Sequence, residues 1–300
     1  MQRIRRKRKR VTDAALRRAF IFTVVFIVFV LVFGAAAVAM LLYGRGQGTD
    51  GEKSYVSAPA RGASRNVLLI GSDPSDDARV AFVLMRLDFE NDKISVTALP
   101  AGLSAEANGK TAALREQLKY AGVKQVRKSV ENLLDIEIEN TASVQLGSFE
   151  SIIDKMGGLT YYVPRPLTFT NEDGGAGAAL DAGLQRLTGA MAMQLMEYDG
   201  WPEGPAYRLR VQEALAVGLC NQYMKKDYLQ RNALSLFKFA SNATGSDFSM
   251  TDFIGMMPSF LELAQVQDPA AAVPAEGAFA GDGAFSATSE SIARLSAEYS

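Results

Sequence analysis

The side chains able to do chemistry in this 300-residue chain are carboxylates, arginines, lysines and hydroxyls, because it holds no histidine and a single cysteine. That excludes Ser-His-Asp triads, Cys-His pairs, His-ligated zinc and imidazole acid–base work. Cys220 has no partner for an intrachain disulfide and reads as a small buried apolar residue. Two groups of candidates remain. Asp73, Asp76 and Asp77 follow an apolar run, and that spacing serves either oxygen ligation of a hard cation or ordinary turn chemistry. Arg79 lies just beyond them, while Arg208 and Arg210, with Glu203 ahead, suit an anion held near a helix N-terminus or a solvated, ion-paired surface.

Apolar runs bracket these candidates. Asn66 to Gly71 is a short continuous run closed by glycine, as expected of a strand buried on both faces. Val80–Leu87 and Ile94–Leu99, separated by Glu90-Asn91-Asp92-Lys93, read as an antiparallel hairpin. From Thr111 to Leu134 the spacing turns helical, and Gly122 divides two helices. Ser143–Leu146 and Leu159–Val163 are strand candidates, with a helix over Phe149–Met156 between them. Asn171–Gly177 is a loop. Helices are expected over Thr188–Tyr198, Tyr207–Tyr228, Gln230–Ala240 and Thr251–Ala264, then an extended piece and a helix near Ser289–Tyr299. Interleaved strands and helices predict one α/β domain over residues 65–300, a central mixed sheet with helices on both faces.

The net charge of −1 averages two unlike parts. Residues 1–18 hold nine of the 32 Lys and Arg against Asp13, leaving 23 basic and 32 acidic residues beyond, a net of −9. That disfavours a nucleic-acid-binding surface. Ala19 to Leu42 is an uncharged run whose helical length of roughly 36 Å matches a membrane core of about 30 Å. A secretory signal has a shorter apolar stretch, and Ala35-Ala36-Ala37 lies inside this one, which favours an uncleaved anchor. The basic tail 1–18 then stays cytoplasmic and attracts anionic lipid, residues 19–42 span, residues 43–64 form a Gly/Ser/Ala-rich linker, and the domain faces outward. The expected location is a bacterial plasma membrane, crossed once.

Six motifs occur in order: Asn66-Val67-Leu68-Leu69-Ile70-Gly71-Ser72-Asp73; Lys93-Ile94-Ser95-Val96-Thr97-Ala98-Leu99-Pro100; Ser129 to Leu134; Phe149 through Gly158-Leu159 to Tyr162-Val163-Pro164; Gly183-Leu184-Gln185-Arg186-Leu187-Thr188-Gly189; and Arg210-Val211-Gln212-Glu213. Together they resemble the LytR-CpsA-Psr (LCP) family of bacterial envelope proteins from about Arg65 to Ser300. The resemblance implies an extracytoplasmic phosphotransferase that moves a glycopolymer from polyprenyl pyrophosphate to peptidoglycan, using Mg²⁺, clamping arginines and acidic residues. It also implies an acyl-chain groove that Met191, Met193 and Met196 would line, unless they pack the core.

The chain departs from the family at the chemistry. Spacing back from Pro100 places the family's Arg-x-Asp-Thr aspartate on Val80 and its threonine on Ala81. Its Arg-Asp after the proline falls on Ala101 and Gly102, its late Val-Arg-Tyr-Arg on Met196-Glu197-Tyr198-Asp199, and the first arginine of its final motif on Tyr207. Carboxylates there oppose a pyrophosphate instead of holding it. The expectation is a catalytically degenerate member that binds polyprenyl-linked glycopolymer or peptidoglycan, or scaffolds an active paralogue. The rival is an active transferase using Arg79, Arg208 and Arg210 on substrate, with Asp73 and Asp77 on Mg²⁺. A transcriptional regulator, suggested by historical family naming, conflicts with the outward topology.

Overall fold

The computed structural model describes residues 63–73, 76–145, 148–170, 176–229, 231–232, 245–247 and 250–300. The expected tail and span, and most of the linker, of the helix over 230–240 and of the 171–177 loop, lie outside the described residues. No helix among the described residues is long and apolar enough to cross a membrane.

The apolar run after Arg65 is strand β1 (Arg65–Asp73), and the hairpin is β2 (Asp76–Asp88) with β3 (Lys93–Leu99). They form the centre of a six-stranded sheet, flanked by β6 (Asn140–Gln145) and β11 (Gly245–Ser246) on one side and β12 (Ala270–Ala272) on the other, in the order β11-β6-β1-β2-β3-β12. The sheet is mixed: β1 runs antiparallel to β2 and parallel to β6, and β3 runs antiparallel to β2 and parallel to β12.

Successive strand side chains point to opposite faces, so strands apolar at every position need cover on both sides. Val67, Leu69, Met85, Leu87, Ile94 and Val96 enter one core. It is closed by α3 (Ser148–Met156), α4 (Gly189–Glu197), α5 (Pro205–Tyr223) and α6 (Met250–Leu263). Leu68, Ile70, Phe82, Leu84 and Leu99 enter the other, beneath α1 (Leu114–Ala121), α2 (Val123–Leu134) and α7 (Ser289–Tyr299). The expected α/β class, central mixed sheet and two-sided helical cover are all present. Gly122 separates α1 from α2 at a φ of 74°.

Several short ribbons differ from expectation. Thr111–Ala113, taken into the first helix by its spacing, belongs to β5 (Lys110–Ala113), which pairs with β4 (Ser104–Ala107). The stretch matching the family's Gly-x-Gln turn is strand β10 (Gly183–Leu187), paired with β7 (Leu159–Val163). Ala176 and Gly177, expected in the loop, open β9 (Ala176–Leu180), which pairs with β8 (Leu167–Thr170). In the last segment β13 (Gly277–Phe279) and β14 (Phe285–Ala287) make a hairpin before α7.

Candidate functional site

The candidate site lies where β1 ends, β2 begins and α4 stops. Pairing between β1 and β2 steps from Ser72–Val80 to Asp73–Asp76, an irregularity that brings Arg79 beside Asp73. Arg79 Nη1 donates to Asp73 Oδ2 at 2.7 Å. Its Nε and Nη2 both donate to Glu197 Oε1, at 2.8 and 2.5 Å. Glu197 closes α4, where the helix dipole disfavours a carboxylate, and the guanidinium offsets that cost. Burial works against the Arg79 charge, but the bond and attraction of Glu197, then Asp73 and Asp76, hold its pKa above the usual arginine value.

More negative charge surrounds the pair. Glu150, in the first turn of α3, has its carboxyl pushed above the usual range by burial and then by Asp154 and Glu197, with Arg79 opposing. The closeness of α3 and α4 requires Gly189: a Cβ there would stand 1.7 Å from the Glu150 carbonyl oxygen, and its N–H donates to Asp154 Oδ1 at 2.7 Å.

An aromatic wall follows α4. Phe169, Tyr198, Trp201 and Tyr207 follow one another, the first two contacts edge to face and the third tilted, with ring centres 5.6, 5.1 and 4.8 Å apart. Arg165 sits 5.9 Å from the Trp201 ring and pairs with Glu203. Glu203, read in sequence as a companion of Arg208 and Arg210, is thus engaged elsewhere. Met193 and Met196 are buried in the first core and Met191 packs against it, which satisfies the core-packing reading. Cys220 is buried, and that burial pushes its thiol up to about 12, as expected of an inert residue.

Of the substrate candidates, Arg208 and Arg210 are not brought together. Arg208 and Arg210 are two residues apart on α5 and therefore face roughly opposite sides of it. Arg208 lies one turn before Gln212, whose amide donates to the Met196 carbonyl at 3.1 Å, which places it on the α4 side. Arg210 is exposed and lines a separate cavity of about 110 Å³ with Glu213 and Glu276. Glu213, which the sequence reading did not single out, is 1% exposed and accepts the Ala98 N–H at 3.0 Å. It caps the edge of β3 where β12 has ended. Burial pushes its carboxyl up to about 7, against the pull of that N–H and of Arg210 and Arg294.

The positions aligned with the family's chemistry also scatter. Glu197 lies on the face with α3 and α4, whereas Val80 and Ala101 pack against the core on the other face. Gly102 has no room for a side chain, since a Cβ would meet the Gly283 carbonyl oxygen at 1.9 Å. Asp73 is turned to Arg79, the Asp77 side chain lies outside the described residues, and no group of three or more acidic, Cys or His residues among the described ones is placed to hold a metal.

The family model described as LytR_cpsA_psr matches residues 43–298. The chain belongs to this LytR-CpsA-Psr family. The LCP fold agrees with solved structures at low identity. A putative transcription regulator from Eubacterium siraeum DSM 15702 is 12% identical with a TM-score of 0.70, covering 84% of this chain and 96% of that one. B. subtilis TagV is 14% identical with a TM-score of 0.63, covering 80% and 97%. A structure of TagT bound to LI-WTA is 16% identical with a TM-score of 0.58, covering 79% and 89%. No curated protein matches the chain.

Proposed function

We propose that this LCP protein is a membrane-anchored, outward-facing envelope protein with a non-catalytic site, and that it binds polyprenyl-linked glycopolymer or peptidoglycan, or scaffolds an active paralogue. Family membership supports the cell-wall glycopolymer setting, and the TagT complex supports the ligand class. The observation that carries the non-catalytic reading is Arg79 closed between Asp73 and Glu197. A guanidinium whose donors face two carboxylates offers a pyrophosphate little uncompensated charge, and Glu150 adds repulsion. Anchoring rests on residues 19–42 and the basic residues before them.

A second reading, an active phosphotransferase, is favoured by one observation: Arg79, rather than Val80, faces the acidic cluster, so a cation and carboxylates do meet at one point. Incubating the full-length protein with Mg²⁺ and a short polyprenyl-pyrophosphate glycolipid separates the two. The native chain is expected to give no turnover, and the Glu197→Gln variant, with Arg79 released on one side, to bind the glycolipid about tenfold more tightly, or about 1.4 kcal/mol. Turnover by the native chain would establish the active reading. Phosphatase fusions at each end of residues 19–42 test the topology, with activity expected only from the C-terminal fusion.

A further inference from the structure

The cavity that Arg210 lines lies away from the Arg79 site, on the side of α5 opposite Arg208. Its volume is about 110 Å³. One wall is the α5 face that carries Arg210 and Glu213, and the other is the chain between β12 and β13, including Glu276, with Phe279 and Phe285 of the β13–β14 hairpin. The two rings stand 4.7 Å apart and tilted, and they make the apolar end of the cavity.

Three charged side chains line this space, and they are not equally satisfied. Glu276 pairs with Arg294 at 3.3 Å, and Arg294 is fixed in turn by donating to the Pro274 carbonyl at 2.6 Å. Glu213 is almost wholly buried, and only its Oε1 is engaged, by the Ala98 N–H. Its Oε2 has no hydrogen-bond partner among the described residues, although the side chain forms part of the cavity wall. Arg210 is exposed and likewise has no hydrogen bond or ion pair among the described residues. The two are three residues apart on α5, which sets their Cβ atoms about 5–6 Å from each other, yet guanidinium and carboxyl do not pair. Burial without a bonded cation is what raises the Glu213 carboxyl to about 7.

An unpaired cation beside an unpaired buried carboxyl disfavours ions of a single charge. An anion drawn to Arg210 is repelled by Glu213, and a cation drawn to Glu213 is repelled by Arg210, in surroundings that screen less than water. A molecule with both charges on adjacent atoms meets each of them favourably. Size narrows the class further: a cavity of about 150 Å³ takes up a benzene ring, so 110 Å³ suits about four to six non-hydrogen atoms. The geometry points to a binding site for a small free α-amino acid, of glycine or alanine size, with its carboxylate on Arg210, its ammonium on Glu213 Oε2 and its side chain against Phe279 and Phe285. The site is independent of how the Arg79 site is read.

Equilibrium dialysis of the full-length protein in detergent against radiolabelled glycine and alanine tests this. One saturable site per chain is expected, with a Kd of about 1 mM or tighter. Arg210→Gln, a change at an exposed side chain, and Glu213→Gln, which keeps an acceptor for the Ala98 N–H, are each expected to weaken binding at least tenfold. Acetate and methylamine, which carry one charge each, should compete at least tenfold more weakly than alanine, and phenylalanine should not compete because its ring exceeds the cavity. Absence of saturable binding would overturn the proposal. So would alanine binding that survives Arg210→Gln, or acetate or methylamine competing as well as alanine, which would make the site a receptor for a single charge.

Discussion

Glu213 carries a charge state that the fold itself sets. Its carboxyl is raised from 4.5 to about 7 by burial, so the folded chain holds that proton more tightly than the unfolded chain. Stability from this group is complete below pH 4.5 and is lost as pH rises to about 7, a difference of about 3 kcal/mol. Thermal melts of native and Glu213→Gln protein are expected to diverge across this window, the native Tm falling between pH 5 and 7.5 relative to the variant's. Parallel curves would show that the carboxyl titrates normally. Arg79 and Asp73 were legible as candidates because charged residues beside a buried strand draw notice. Their closure by Glu197 was not, since 118 residues separate Arg79 from Glu197 and spacing alone placed the reacting carboxylate at Val80. The irregular β1–β2 pairing decides which side chain faces the acidic cluster, and no local pattern announces it. Glu213 was overlooked for a related reason: its partner is a backbone N–H on another element.

Elements apolar at every position were the easiest to read. β1 declared itself as buried on both faces, β2 and β3 as an antiparallel hairpin, and Gly122 correctly split two amphipathic helices. The ribbons β4–β5 and β8–β9 were missed because strands of four or five residues are too short for a period to stand out, so Thr111–Ala113 of β5 was absorbed into the helical spacing that follows it. Their positions are set by what they pack against. The same holds for the β13–β14 hairpin, whose tip presses on the loop after Pro100: the Phe285 N–H donates to the Gly102 carbonyl at 2.8 Å. Gly102 is thus required by contact with Gly283, and restoring the family's aspartate there is excluded on steric grounds. Gly102→Ala is expected to lower stability by about 1–3 kcal/mol, as overpacking does, and to raise hydrogen exchange at the Phe285 amide. An unchanged melt with unaltered exchange would show that the hairpin yields at no cost.

At the scale of the whole domain, the sheet is sealed by α7. Tyr299 is fully buried; its hydroxyl bonds with Thr97 at 2.8 Å and donates to the Leu84 carbonyl at 3.1 Å, and its own carbonyl accepts from Asn66 and Arg86 at 2.6 and 3.0 Å. Burial is the main cause of its phenol being held far above the usual range. Tyr299→Ala is expected to cost about 3–5 kcal/mol, as loss of a buried aromatic does, and Tyr299→Phe about 1 kcal/mol, both read by denaturant unfolding. Near-native stability of the alanine variant would show that α7 is dispensable. The Asn66–Tyr299 bond joins residues 233 apart. During synthesis β1 therefore emerges long before the residue that completes its surroundings, and Leu68 and Ile70, covered in part by α1 and α2, gain the rest of their cover from α7. A chain interrupted before α7 would leave that side of the sheet covered by α1 and α2 alone, with Asn66 and Thr97 lacking their Tyr299 partners.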